Sequence, residues 1–208
     1  AMRTPVRDEV LRRHVVHRDR ELGLIVLERL AAAGPASDVI AAALDDVLLE
    51  DVHHAARILA ALAVIPASGD DVHETDGPLR WALDDELDLV RQRVMAGRLA
   101  RHGSDRLGPA IVELDVGGPT GALASEALDV LLSPAESRLV LPLLLPDRSI
   151  EERLGRMPTP IEDGPMDLAG WLRDLVEDAD GRWRSSWLRA CAIHAAAARG
   201  LLGQIDLG

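Results

Sequence analysis

The sequence predicts an all-α, solenoid-like fold, and three observations support that prediction. The chain has 208 residues, of which 48% are hydrophobic and 28% charged, as in globular domains rather than disordered ones. Aromatic residues make up only 2%, with four Trp and neither Tyr nor Phe, so the aromatic residues that favour strands are scarce. Apolar residues recur at helical spacing between Gly- and Pro-containing turns, without a strand pattern.

The first half of the chain predicts long helices within residues 4–103. Thr4 is the expected N-cap of the first helix, Ser37 caps the second, and Pro78 starts the third. The acidic, Pro- and Gly-containing stretch 66–78 is a loop between the second and the third.

The second half predicts shorter helix pairs within residues 105–202. Pro142 is expected to kink or end one of these helices, because a proline inside a helix removes a backbone hydrogen bond. The expected helices cover residues 105–115, 120–132, 134–145, a short segment opened by Ser149, 167–177 and 183–202.

A short sequence match within the chain suggests an internal repeat. The hexapeptide at 43–48 (Ala-Leu-Asp-Asp-Val-Leu) recurs, with one change, at 82–87, which is 39 residues later. HEAT and armadillo repeats have periods of about 40–47 residues. The sequence therefore predicts an α-α superhelix, a HEAT/armadillo-like helical solenoid, with residues 1–208 as a single helical-repeat domain. Because the match is a single hexapeptide of common helix formers, chance similarity is the alternative to a true repeat.

Three segments of the second half form a more specific pattern. They are Ala124-Ser125-Glu126-Ala127-Leu128-Asp129, Leu141-Pro142-Leu143-Leu144 and Trp187-Leu188-Arg189-Ala190-Cys191-Ala192. Over residues 105–202 this succession resembles the HEAT-like region of bacterial proteins that join an ATP/ADP-translocase-like membrane segment to a cyclic nucleotide-binding domain. Two features depart from the family pattern: Val130 stands where the family commonly has Asn, and residues 181–186 lengthen the approach to the final helix.

The resemblance implies a connecting scaffold that is a fragment of a longer chain. Its partners would be other proteins or neighbouring domains of the same chain. Nucleotide binding is not implied for 1–208, which has neither the strands nor the Gly-rich phosphate cassette of a cyclic nucleotide domain. The positions that carry the resemblance are expected to be structural, and they are Glu126, Asp129, Pro142, Trp187, Arg189 and Cys191.

Helical spacing gives these positions a packing role as well. Trp187, Cys191 and the apolar residues between and after them share one helical face, so we expect them to pack against the preceding helix. Glu126 and Asp129 are neighbours on one helix surface and could meet Arg138 or a backbone N–H of the next helix.

No motif in the sequence predicts a catalytic, metal or cofactor site. Glu50-x-x-His53 has di-iron spacing but lacks the second Glu-x-x-His and the two further carboxylates, so an exposed helix face is expected. His14 and His17 have no third ligand, and the oxygen-rich loop 70–76 lacks calcium-loop spacing. Cys191 and His194 lack a third residue that would orient them for catalysis, so we expect Cys191 to be a small buried apolar side chain. The Gly-rich segment 117–121 has neither a preceding strand nor a phosphate-binding Lys.

The charge and hydropathy of the chain argue against further classes of protein. The net charge of −12 argues against a nucleic-acid surface. No apolar run is long enough for direct membrane insertion, and the single Cys191 cannot form an internal disulfide, which fits a cytoplasmic protein or the cytoplasmic part of a membrane protein. Eight acidic residues of the long helices are expected to form one exposed face, either solvated or facing an Arg-rich partner: Asp45, Asp46, Glu50, Asp51, Asp84, Asp85, Glu86 and Asp88.

The sequence thus predicts a non-catalytic HEAT-like scaffold or interaction domain, and the resemblance implies that this domain couples a membrane segment to a cyclic nucleotide sensor. One alternative is a helical small-molecule-binding regulator, although the first 50 residues lack an aromatic-rich recognition helix. The other is a helical-repeat enzyme, which repeats alone cannot establish.

Overall fold

Most of the residues that the structure describes are helical. The computed structural model describes residues 13–14, 19–34, 36–65, 77–116, 118–145, 148–157, 164–165, 167–179, 181–183 and 185–206. Within these ranges there is no strand, which confirms the all-α prediction, while the superhelical arrangement stays a prediction. The α-helices are α1 (Arg20–Ala32), α2 (Asp38–Val64), α3 (Gly77–His102), α4 (Ser104–Val116), α5 (Gly118–Leu131), α6 (Pro134–Leu144), α7 (Ile150–Arg156), α8 (Leu168–Glu177) and α9 (Ser186–Ala198), followed by a 3₁₀ turn at Leu202–Gln204.

Backbone contacts divide the chain into two compact units. Unit 1 consists of Ala1–Ala55 and Leu89–Pro158, and unit 2 of Ala56–Asp88 and Thr159–Gly208. The prediction of one helical-repeat domain over 1–208 stays a prediction.

The core of unit 1 forms where α1 packs on the first part of α2 and the last part of α3. Asp19 caps α1 by accepting a hydrogen bond from the backbone N–H of Leu22, and Gly34 leaves the helix at a φ of +94°, which favours glycine. The backbone N–H of Ala36 then donates to the carbonyl of Ala100 at 2.9 Å. The buried residues of this cluster are Leu27, Leu30, Ala31, Ile40, Leu44, Val47, Ala96 and Ala100.

The shorter helices α4 to α7 complete unit 1. Both α6 and α7 begin with a full capping box, made by Ser133 with Glu136 and by Ser149 with Glu152. Pro142 lies inside α6, which continues for two more residues and ends at Leu144. The guanidinium of Arg153 on α7 donates to the carbonyls of Pro142 and Leu143, so it satisfies backbone groups at that helix end.

Unit 2 contains the end of α2, the start of α3, and helices α8 and α9. Asp167 caps α8 at the start that the sequence predicts, whereas Ser185 caps α9, which begins three residues after the predicted start at residue 183. Arg80 donates to the carbonyls of Leu62 and Ile65, at 3.1 and 2.8 Å, and so caps the end of α2. Asp178 follows α8 in the left-handed region, at a φ of 40°, and accepts hydrogen bonds from the next loop.

Several sequence predictions differ from the structure or lie outside its described residues. The final helix is shorter than the expected 183–202, because it begins after the Ser185 cap and ends at Ala198. Thr4 and most of the loop 66–78 are outside the described residues. A helix long and apolar enough to cross a membrane is not found among the described residues.

Candidate functional site

Two tryptophans meet at the surface of unit 2. Trp81 on α3 and Trp187 on α9 pack edge to face, with ring centroids 6.4 Å apart and an interplanar angle of 80°. Both remain largely open to solvent, Trp81 at 62% and Trp187 at 52% relative exposure. We call these two residues the exposed tryptophan pair.

The register of α3 and α9 places the exposed tryptophan pair outside the core. Trp81 is two residues after the buried Leu79, which on a helix is close to the opposite side. Trp187 precedes the buried stripe of α9, which begins at Leu188 and continues through Cys191. We expected Trp187 to pack with Cys191 against the preceding helix, but it is half exposed and contacts Trp81 on α3. Trp187 shares its face with His194, seven residues on, which is also exposed.

Exposed carboxylates follow Trp81 along the same face of α3. Asp84, Asp85 and Asp88 stand three, four and seven residues after Trp81, and all three are exposed. Because residues three, four and seven apart lie on the same side of a helix, these carboxylates share a face of α3 with Trp81. We call the three residues the acidic turn.

A second tryptophan pair lies inside the same unit. Trp171 on α8 and Trp183 pack edge to face at 6.3 Å and 79°, and they are only 1% and 3% exposed. The guanidinium of Arg57 sits 5.7 Å from the ring centroid of Trp171. Arg57 also donates to both carboxylate oxygens of Asp174, at 2.9 and 2.8 Å, and the indole N–H of Trp183 donates to Asp174 at 2.7 Å. We call Trp171 and Trp183 the buried tryptophan pair.

Unit 1 contains a buried ion pair that the sequence analysis missed. Arg93 Nε lies 3.1 Å from each carboxylate oxygen of Asp51, and the two side chains are 4% and 5% exposed. Burial raises the pKa of Asp51, and the neighbouring Arg93 only partly offsets that effect. Arg93 also donates to the carbonyl of Arg20 on α1.

Two of the acidic residues that we expected on the exposed face are in fact buried. Asp51 is 3% exposed and Glu86 is 8% exposed. Asp51 follows Val47 by four residues and so belongs to the apolar stripe of α2, and Arg93 follows Val90 by three on the stripe of α3. These charges at core positions were the signal in the sequence for an ion pair between the two helices.

A second charged cluster joins α2, α3 and α6 within unit 1. Arg98, only 2% exposed, donates to Asp45 at 3.1 Å, to Glu136 at 2.7 Å and to the carbonyl of Leu44 at 2.9 Å. The imidazole of His102 lies 2.7 Å from the same Glu136 oxygen. Burial alone would raise the pKa of Glu136, but hydrogen bonds from His102 and Ser133 outweigh it and lower that pKa to about 2.

The small cavity beside these charges has no room for an organic ligand. It is lined by Asp51, Arg93, Arg98 and apolar neighbours, and its volume is about 10 Å³. That is the space needed by a single water molecule. The charges around it serve to join helices, because each of the three makes an ion pair with a residue of another helix.

The residues considered for metal binding or nucleophilic chemistry do not assemble into a site. Glu50 and His53 are exposed, as predicted, and no cluster of metal-ligating side chains is found in the described part of the chain. His17 is outside that part. Cys191 is a buried free thiol whose pKa is raised by burial, so it is held in the less nucleophilic protonated form.

The structure places the six motif residues in both units. In unit 1, Asp129 accepts a hydrogen bond from the hydroxyl of Ser137 on the next helix, while Glu126 is exposed and Pro142 is buried. Arg138, one of the two partners expected for Glu126 and Asp129, instead donates to the carbonyl of Pro134. In unit 2, Cys191 is buried and Arg189 partly so, and Trp187 contacts Trp81.

Comparison with known proteins adds no relative to these observations. No family model, curated protein or solved structure matches the chain, so its function is inferred from its own residues and contacts.

Proposed function

We propose that this chain is a non-catalytic helical interaction domain, and that the exposed tryptophan pair is its contact surface. The observation that carries the proposal is the exposure of Trp81 and Trp187 side by side in a chain that has only four aromatic residues. Tryptophan is enriched at the energetic centres of protein interfaces, because burying an indole removes a large apolar area from water. A partner protein that covers this part of unit 2 would bury both adjacent indoles at once.

The use of the charged residues supports a non-catalytic role. The buried charges Asp51, Arg93 and Arg98 are engaged in ion pairs between helices. Glu136, whose pKa is strongly lowered, is held by a capping box, by the guanidinium of Arg98 and by the imidazole of His102. Perturbed groups in structural networks of this kind stabilise the fold, whereas catalytic ones line a cleft with space for a substrate.

The resemblance of residues 105–202 to a HEAT-like region extends the proposal to a coupling role. In this form, the helical domain would bridge a membrane segment and a cyclic nucleotide sensor of a longer protein. Reading the natural gene on both sides of the 208 residues tests it. Membrane spans upstream and a cyclic nucleotide cassette downstream are the expected result. A reading frame that encodes only these residues would contradict coupling and leave the interaction role.

The interaction role is tested by affinity capture with matched surface variants. The test variant is W81A/W187A, and the control is V112A/V130A, which removes apolar groups that are 68% and 83% exposed in unit 1. We expect a protein that binds the natural chain and the control but not the test variant. That protein would then be identified by mass spectrometry, purified and rebound in titration calorimetry. Identical sets of bound proteins for all three baits would contradict the role given to the exposed tryptophan pair.

A further inference from the structure

We propose that one water molecule binds in the small cavity of unit 1 and joins the buried ion pair of Asp51 and Arg93 to the charged cluster around Arg98. Three observations support this site: the size of the cavity, an unused hydrogen-bond donor on a residue that lines it, and charges of both signs in its wall. The cavity lies in unit 1 and the exposed tryptophan pair in unit 2, so the proposal is independent of the interaction role.

The cavity has the size and the lining of a water site. Its volume is about 10 Å³, close to the space that one water molecule needs. Cavities that stay empty in proteins are lined by apolar groups, whereas the wall of this one includes Asp51, Arg93 and Arg98. Because the space admits only one molecule, the polar groups of the wall share the same occupant.

Arg98 has a donor that no group in the described part of the chain accepts. Its side chain is 2% exposed, and both terminal nitrogens are in use. Arg98 Nη1 donates to Asp45 and Glu136, and Nη2 donates to the carbonyl of Leu44. The Nε atom, in contrast, is buried without a hydrogen-bond partner among the described residues. A buried donor without an acceptor is costly, and a water oxygen is an acceptor that a cavity of this size can hold.

Asp51 offers acceptors for the protons of the same water. Both of its carboxylate oxygens accept from a single donor, Arg93 Nε, at 3.1 Å each. An ionised carboxylate has about four acceptor positions, so further hydrogen bonds can be added. A water that accepts from Arg98 Nε can therefore donate to Asp51, and the two groups of charges then belong to one hydrogen-bonded network.

The charges in the wall favour a neutral, dipolar occupant over an ion. The carboxylate of Asp51 would repel an anion, and the guanidinium groups of Arg93 and Arg98 would repel a cation. An apolar occupant would leave Arg98 Nε without an acceptor. Water meets all three conditions, because it accepts from the guanidinium and donates to the carboxylate.

Gly97 offers a substitution that displaces the water and leaves the charged residues in place. Gly97 lines the cavity, and a Cβ at this position would meet Leu27 Cδ2 at 3.9 Å, which is an ordinary van der Waals contact. The methyl group of G97A therefore fits, and it takes the space of the water. The matched control is G155A at an exposed position of α7, where a Cβ would meet nothing within 4 Å.

Nuclear magnetic resonance detects the water directly. In the natural chain and in G155A, we expect the Nε–H of Arg98 to show a nuclear Overhauser effect to water with the sign of a long-lived bound molecule. In G97A we expect that effect to be lost while the Nε–H signal remains. Absence of the effect in the natural chain, or its persistence at full strength in G97A, would overturn the proposal.

Stability distinguishes a water-filled cavity from a dry one. Replacing a helical glycine by alanine lowers the unfolding equilibrium constant about two- to fivefold, which is the effect expected for G155A. In a dry cavity, G97A would stabilise at least as much, because its methyl group would be buried. We expect instead that the unfolding equilibrium constant of G97A exceeds that of G155A by about fivefold or more, because Arg98 Nε loses its acceptor. Urea titration measures both constants, and a G97A variant as stable as G155A would contradict the water site.

Discussion

Asp51 and Arg93 form an ion pair that is almost fully buried between α2 and α3 within unit 1. Taking both charges out of water is costly, and their attraction roughly repays that cost when the geometry is good. The energetic importance of such a pair appears when one partner is removed, because the other charge is then left buried without compensation.

A mutant cycle at this ion pair tests that account. We expect R93M and D51L each to lower the free energy of unfolding by about 3–5 kcal/mol, and the double variant to lie close to the natural protein. Urea titration monitored by circular dichroism measures the free energy of unfolding of the natural protein, the two single variants and the double variant. Additive losses in the double variant would show that the two side chains do not compensate each other.

Gly23 on α1 makes room for the guanidinium of Arg93. A Cβ at this position would overlap Arg93 Nη1, which cannot easily move because Arg93 also bonds Asp51 and the carbonyl of Arg20. We expect G23A to destabilise the natural protein by about 1–3 kcal/mol. In an R93A background, the same change should instead stabilise by about 1 kcal/mol, because alanine is the better helix former. Denaturant midpoints measure both effects, and a loss of similar size in the two backgrounds would exclude the overlap as the cause.

The two members of the buried tryptophan pair differ in whether their indole N–H donates a hydrogen bond. Trp183 Nε1 donates to Asp174, whereas Trp171 Nε1 is buried without a hydrogen-bond partner among the described residues. Phenylalanine removes similar volume at both positions, and only W183F also removes a hydrogen bond. We expect W183F to cost about 1–2 kcal/mol more than W171F in thermal unfolding. Equal costs would mean that the bond to Asp174 contributes no net stability.

At the scale of the element, α6 and α7 begin with the same capping box but differ in what else their glutamate binds. Glu152 serves its own helix start, while Glu136 also pairs with Arg98 and His102. We expect E152Q, which keeps an oxygen that can complete the capping box, to cost less than about 1 kcal/mol, and E136Q to cost about 1–2 kcal/mol more because it also loses the charge that pairs with Arg98. Urea unfolding at neutral pH gives both numbers. Equal costs would show that the cap alone, and not the link to α3, is what Glu136 contributes.

The same glutamate predicts an acid dependence. The pKa of Glu136 is about 2 in the folded chain against an ordinary value of 4.5, so the unfolded chain takes up this proton first as the pH falls. The stabilisation from Glu136 is therefore complete above about pH 4.5 and is lost as the pH falls towards 2. We expect E136Q to lose less stability than the natural protein over that interval, as measured by urea midpoints at each pH. Parallel curves for the two proteins would contradict the lowered pKa.

Most helix positions could be predicted from the sequence, because caps and breakers act locally. Ser149 and Asp167 start helices as expected, and the observed starts and ends mostly lie within two residues of the predicted ones, although the final helix is shorter at both ends. Trp187 is exposed although helical spacing groups it with the buried Cys191, because it lies one position before the buried stripe of α9. The pairing of Trp187 with Trp81 joins helices about a hundred residues apart in sequence, and local spacing carries no information about it.

At the scale of the whole molecule, the chain is strongly acidic and all 23 of its basic residues are arginine. A net charge of −12 disfavours the compact state through self-repulsion, which salt screens. We expect the unfolding temperature at pH 7 to rise by a few degrees between about 20 and about 300 mM sodium chloride. Near the isoelectric point of about 5.0 that rise should vanish. Scanning calorimetry at both pH values measures it, and an equal rise at both would assign the effect to something other than net charge.

The division of the four tryptophans into a buried and an exposed pair has an optical consequence. With neither Tyr nor Phe in the chain, all near-ultraviolet emission comes from these indoles. The buried tryptophan pair should emit at shorter wavelength and resist quenching by iodide, while the exposed tryptophan pair should emit at longer wavelength and be quenched. The unlabelled protein thus carries two separate intrinsic reporters, one for the integrity of its interior and one for the occupancy of its surface.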